Sequence, residues 1–191
     1  MNAATESRGR RLPAIPCSAA IVCDLILSLG DYTPESGPGT FVHEAACVIG
    51  RVRLGRDVSL WPNATIRGDT DQITVGDGTN VQDGAVLHAD AGAPCTVGQR
   101  VTIGHLACVH GCTIEDEVLV GIGAIILNNS VIGTGSIVGA GAVLPEGTVV
   151  PPWSLVLGTP GRVIRKTTEA QRADIRRSAE HYVAMIGVHT P

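Results

Sequence analysis

At 191 residues the chain can form one domain with a sizeable core, and its length demands no second. Apolar residues make up 44% of it, yet one Phe, two Tyr and two Trp stand against 24 Gly, so the core must be built from small aliphatic side chains in a regular setting. A formal net charge of -4 gives no electrostatic reason to expect nucleic acid or an anionic membrane as partner, and no apolar run approaches the ~20 residues that span a bilayer; the expectation is a cytoplasmic, soluble protein.

In chain order, Arg8-Gly9-Arg10-Arg11 ahead of an apolar stretch has the look of a targeting signal, but Asp24 interrupts that stretch and no cleavage site follows. Residues 1–24 are therefore expected to be a flexible N-terminal extension. The six cysteines, Cys17, Cys23, Cys47, Cys95, Cys108 and Cys112, form no CxxC pair and lie mostly among apolar neighbours. They read as reduced, small core residues rather than a disulfide framework.

From Val48 an aliphatic residue recurs every six positions: Val48, Leu54, Leu60, Ile66, then Val75, Val81, Leu87, then Val97, Ile103, Val109. From Ile114 the run is unbroken through Val120, Ile126, Ile132, Val138, Leu144, Val150 and Val156. A small or β-branched partner follows four places later, as at Ala124, Ser130, Ser136, Ala142, Thr148 and Ser154. Neither a helix nor an ordinary strand has this period. It predicts an all-β solenoid over 25–165, each hexapeptide a short strand and corner, three to a coil, with both marked positions facing inward. Glycines directly after the aliphatic position (Gly55, Gly76, Gly98, Gly104, Gly121, Gly133, Gly139) are expected to supply the backbone angles of the corners.

The register breaks after Ile66, after Leu87, and between Val109 and Ile114, and polar residues gather at these breaks. Counting by coils puts Arg67, His88 and His110 each one residue past a third strand, in one column, and Asp83 with His105 two residues past a second strand, in another. Neighbouring coils lie about 4.8 Å apart, so His88 and His110 can share a metal. Taking about five residues and roughly 17 Å per strand, separate corners of one prism are too far apart for His105 to join them, given Zn to N distances of about 2.0 to 2.1 Å. If His105 comes from a neighbouring copy, one column of each prism faces the other column of the next, and cyclic closure into equivalent sites leads naturally to a homotrimer, with the closing angle not set by sequence. His43, His181 and His189 are read as solvated or hydrogen-bonded residues without a ligand role. Past the repeats, Thr168 with Gln171 forms a capping-box pattern, and Ile175, Ala179, Tyr182, Val183 and Ile186 mark the apolar stripe of a C-terminal helix within 166–191.

The hexapeptide pattern resembles the hexapeptide-repeat family, whose members form left-handed parallel β-helices. As a set, Ile66-Arg67-Gly68-Asp69, Thr79-Asn80-Val81-Gln82-Asp83-Gly84, Leu87-His88, Gly104-His105, Val109-His110-Gly111-Cys112 and Gly158-Thr159-Pro160 resemble the γ-class carbonic anhydrases, from about Leu25 to the C-terminal helix. The resemblance implies a left-handed parallel β-helix, His88, His105 and His110 as metal ligands, and Arg67 with Asp83 as an intersubunit ion pair. It places Gln82 against the metal-bound solvent, with Asn80 and Asp69 in support. Asn128, two residues after Ile126, is a candidate accessory residue.

Three neutral imidazoles leave a coordination position for water, whose acidity a metal raises, a chemistry for which carbonic anhydrases are the type example. Zinc is the first assignment, with Fe(II) and Co(II) suited to the same donors. The implied reaction is reversible hydration of carbon dioxide to bicarbonate. Where the archetypal enzyme carries acidic shuttle residues, this chain has Thr70 and the loop Asp90-Ala91-Gly92-Ala93-Pro94, so Asp90 is the candidate substitute beside the plainer reading of a solvated loop acid. Two rivals share the fold: an acyl-CoA-dependent transferase or thioesterase, and a trimeric metal-binding scaffold with little turnover.

Overall fold

A chain that turns inward every six residues has room for only a short strand between corners. The computed structural model, which describes residues 26–190, is a parallel β-solenoid of about seven turns with one C-terminal helix. Most hydrogen-bonded strands are two or three residues long, so the five-residue strand assumed above is too generous, because the corners take up the remainder of each hexapeptide. Cys47–Leu54 and Thr65–Val75 are longer because each bends around a corner while still paired. The proposed N-terminal extension, with Cys17 and Cys23, lies outside the described residues.

The predicted register is observed rung for rung. On the first face Leu54, Val75, Val97, Ile114, Ile132 and Val150 pair in parallel succession. On the second, Leu60, Val81, Ile103, Val120, Val138 and Val156 do so. On the third the succession is Val48, Ile66, Leu87, Val109, Ile126 and Leu144. Ile114 lies opposite Val97, which places the missing residue between Val109 and Ile114 at a corner. An additional coil precedes Val48: Ser36 pairs with Leu54 and Val42 with Leu60. The polar Ser36 hides that coil from a search for aliphatic residues.

The ladder residues meet inside the prism, where Leu60, Ile66, Leu87, Ile103, Val109, Ile126 and Leu144 are wholly buried. Full burial of such a side chain stabilises by roughly 1.5–3 kcal/mol. The small partners Ala124, Ser130, Ser136, Ala142 and Ser154 are buried as expected, and the Ser130 and Ser136 hydroxyls donate to the Pro145 and Pro151 carbonyls of the next coil. Thr148 departs from the pattern: it is half-buried, near the open end of the stack, with its hydroxyl on its own coil's Pro145 carbonyl.

The glycine expectation is corrected. None of the seven glycines after an aliphatic position has positive φ. They are glycines because coils stack closely: a Cβ on Gly104 would lie 2.7 Å from the Val120 carbonyl oxygen, and one on Gly76 2.6 Å from Gly98. The left-handed residue of each corner is instead the third after the aliphatic one, as in Asp57, Asn63, Gly78, Gly84, Arg100, Leu106, Glu117, Gly123, Asn129, Gly135, Gly141, Gly147 and Trp153. From Leu54 to Val150 the rule fails only after Ile66, Leu87 and Val109, the three breaks already marked in the sequence.

The C-terminal helix, Glu169–His189, opens with the predicted box: the Gln171 amide donates to Thr168 Oγ1, and the Thr168 amide to Gln171 Oε1. It packs on the second face, burying Ile175 and Ala179, while Trp61, Tyr182, His189 and Phe41 cluster at its far end. His43 accepts from the Ala45 amide, so His43, His181 and His189 all lie away from the histidine column. The chain reaches the helix through Arg162–Lys166, a strand that runs antiparallel to Ser154–Leu157 and is exposed throughout. Cys95 and Cys112 are buried, as expected of small core residues, whereas Cys47 and Cys108 are only half-buried on the outside of the prism. No helix among the described residues is long and apolar enough to cross a membrane.

Candidate metal centre

The three register breaks fall at one corner, between the third and first faces, on successive coils. Val75 follows Ile66 by nine positions and Val97 follows Leu87 by ten, against the usual six, so two extra loops project side by side; the third coil then turns in five. The Gly92 amide donates to Asp71 Oδ2 at 2.9 Å, tying the second loop to the first. Backbone donors from Gln72 and Gly92 lower the Asp71 carboxyl below its ordinary range. Arg51, which sequence reasoning did not single out, donates to the carbonyls of Asp69 and Thr70 and holds the first loop from the coil below.

Beside these loops Arg67, His88 and His110 stand in register on the third face. His88 Nδ1 lies 2.8 Å from His110 Nε2. The remaining ring nitrogens are taken: His88 Nε2 contacts Asp69 Oδ1 at 2.9 Å, and His110 Nδ1 contacts Asn128 Oδ1 at 2.7 Å. Asn128 Nδ2 donates to Asp90 Oδ2 at 2.9 Å. Burial pushes the Asp69 carboxyl up, but the hydrogen bonds from His88 and Arg67 and the nearby guanidinium charge outweigh it and hold the carboxyl at about 2. Ligand atoms of His88, Asp90 and His110 all lie within 4.8 Å of one another.

A carboxylate accepts hydrogen bonds and donates none, so the proton between His88 Nε2 and Asp69 belongs to the ring. If both rings are neutral, with the second proton on His110 Nδ1, two lone pairs face each other across 2.8 Å. Such a pair requires a cation between the rings or a proton on one of them. Imidazole nitrogens with an oriented carboxylate behind one ring are a donor set suited to zinc or another borderline divalent metal.

The other candidates lie around the next corner. His105 Nδ1 is 3.0 Å from Asp83 Oδ2, in the second column, and both side chains are well exposed (42% and 49%) against 13% for His88. Within one chain His105 does not join His88 and His110, and Arg67 pairs with Asp69 rather than with Asp83. Gln82 and Asn80 are buried: Gln82 Nε2 donates to Asn80 Oδ1, and Asn80 Nδ2 to Thr102 Oγ1, which in turn lies 3.2 Å from Ser178 Oγ on the helix. Thr102 and Ser178 escaped the sequence reading. Thr102 lies one coil beyond Asn80 and was legible as its neighbour; nothing in sequence joins Ser178 to it.

A sequence model described as "Bacterial transferase hexapeptide (six repeats)" matches residues 111–146. A "Probable carbonic anhydrase" of Methanocaldococcus jannaschii is 49% identical over 144 residues, covering 75% of this chain and 91% of that one. A "Carbonic anhydrase" of Geobacillus kaustophilus is 40% identical over 151 residues, covering 79% and 83%. The crystal structure of a hexapeptide transferase family protein from Anaplasma phagocytophilum superimposes with a TM-score of 0.83 at 33% identity, covering 86% of this chain and 98% of that one.

Proposed function

Because the chain belongs to the γ-class carbonic anhydrase-like family of hexapeptide-repeat proteins, we propose that it catalyses the metal-dependent, reversible hydration of carbon dioxide to bicarbonate at interfaces between its own copies. The observation that carries this reading is the approach of His88 Nδ1 to His110 Nε2, with the outer nitrogen of each ring already engaged. His88 and His110 would hold the metal together with His105 of a second copy; zinc fits these donors first, and Fe(II) or Co(II) also suit them. When bound, the metal acidifies water at neutral pH.

The chain's own residues orient and surround that site. Asp69 accepts from His88 and makes its free nitrogen a stronger donor. Gln82, one residue before the Asp83 that contacts His105, enters with the second copy and donates toward the solvent position, its amide oriented by Asn80. Arg67 and Asp83 then face each other across the interface, where a buried pair fixes register more than it adds stability. The exposed Val86 and Ile125 beside the histidine column, and Leu106 and Ile122 beside His105, supply apolar surface for that contact. Three copies in a ring satisfy both columns at every interface.

Stopped-flow carbon dioxide hydration on protein of measured metal content tests this. Hydration that follows metal occupancy and disappears in His105→Ala supports it. Stoichiometric metal without hydration points to the scaffold, and metal-independent turnover of an acyl-CoA would favour the transferase reading that the Anaplasma relative's fold also accommodates.

A further inference from the structure

We propose that Asp90 and Asn128 are positioning residues that lock His110 in its Nδ1–H tautomer and so reserve Nε2 for a metal. This rests on the metal-centre reading above.

Asp90 Oδ2 lies 2.9 Å from one end of the Asn128 amide. An acceptor-only carboxylate must face the NH2 end, since the reverse orientation would set two oxygens against each other. The amide oxygen then faces His110 Nδ1 at 2.7 Å and, having no hydrogen to give, requires that Nδ1 donate. A neutral imidazole carries one ring hydrogen, so His110 Nε2 keeps its lone pair on the side where His88 Nδ1 stands. The charge on a loop carboxylate thereby decides, through one amide, which nitrogen of the neighbouring ring is free to bind.

Three separate chain segments make the lock. Asp90 sits in the lengthened turn after Leu87, where Val97 follows ten positions on instead of six, His110 ends a strand of the next coil, and Asn128 follows Ile126 on the coil beyond. Gly111 leaves the space: its φ of +52 is left-handed, and a Cβ there would overlap Asn128 Oδ1. The two rings are also treated differently. His88 donates directly to a carboxylate, whereas His110 donates to a neutral amide that cannot take its proton, which holds His110 as a neutral ligand.

The test is nitrogen-15 NMR of the histidine rings in metal-free protein at mildly alkaline pH, together with zinc titration of the same samples. In the wild type His110 should show a protonated Nδ1 and an unprotonated Nε2. Asn128→Leu should shift it to the Nε2–H form and weaken zinc binding about 10- to 100-fold. Asp90→Asn, a nearly isosteric change on an exposed loop, removes the constraint on the amide and should give both tautomers. An Nε2–H ring in the wild type, or a ring that stays Nδ1–H in both variants, overturns the proposal. Neither readout involves carbon dioxide, so a lock that passes while hydration fails sinks the enzymatic reading alone, and the reverse result sinks the lock alone.

Discussion

Two glycines two residues apart separate two reasons for having no side chain. Gly123 has φ of +65 and open space around a would-be Cβ, so Gly123→Ala should cost about 1 kcal/mol, the left-handed penalty alone. Gly121 has ordinary φ, but its Cβ would lie 2.5 Å from the Ala140 amide nitrogen and 2.8 Å from the Val138 carbonyl oxygen. Gly121→Ala should therefore destabilise more, by roughly 2–3 kcal/mol, in denaturant unfolding of the two variants side by side. Cysteine reactivity divides in a similar way. The hydrogen bond with Cys95, and then burial, push the Cys112 thiol far above its usual range, so Cys95 and Cys112 should resist alkylation until the protein is unfolded. Mass spectrometry after native and denatured labelling reads this directly; modification of Cys112 in the native protein would contradict the buried pair.

At the scale of strands, loops and helix, what was legible followed from period. A core one aliphatic residue deep leaves a mark every sixth position, so Val97 could be aligned with Ile114 across a deletion. The histidine column was legible for the same reason, since one residue past an aligned strand is still aligned. The inserted loops were not, because their shape is set by contacts between coils, such as Gly92 on Asp71, that no local pattern announces. That tie has a pH signature. Asp71's folded value is depressed, so its contribution is fully present above the ordinary carboxylate value of 3.8 and is lost as pH falls through the lower folded one. The Gly92 amide resonance should accordingly titrate with a midpoint below 3.8; a midpoint at or above it would mean the loops are not tied in solution. Asp90 and Asp69 approach the histidines through these loops, which is why sequence could name them but not say what they touch. The helix was legible in its cap, and Thr168→Ala should cost about 1 kcal/mol in thermal unfolding, as replacement of a working cap does.

At the scale of the whole molecule, sequence alone separated two histidine columns by a corner, and the single chain keeps them apart. The proposed trimer makes a measurable demand. Leu106→Glu, which puts a charge at an exposed apolar corner residue, should convert a trimer to monomers in sedimentation while the far-ultraviolet spectrum of the fold is retained. Retention of the wild-type sedimentation coefficient would remove that corner from the contact. The strand Arg162–Lys166 has a consequence at this scale. A parallel solenoid whose coils all look alike offers its last rung as a template for the first rung of another molecule, and so on without limit. Here the second face ends in a strand of reversed direction carrying Arg162, Arg165 and Lys166, so a following parallel rung would meet the wrong hydrogen-bond polarity and a row of like charges. The same short segment that carries the chain back to its helix thus closes the second face to a further parallel rung, while the first and third faces end at Val150 and Leu144 without such a strand.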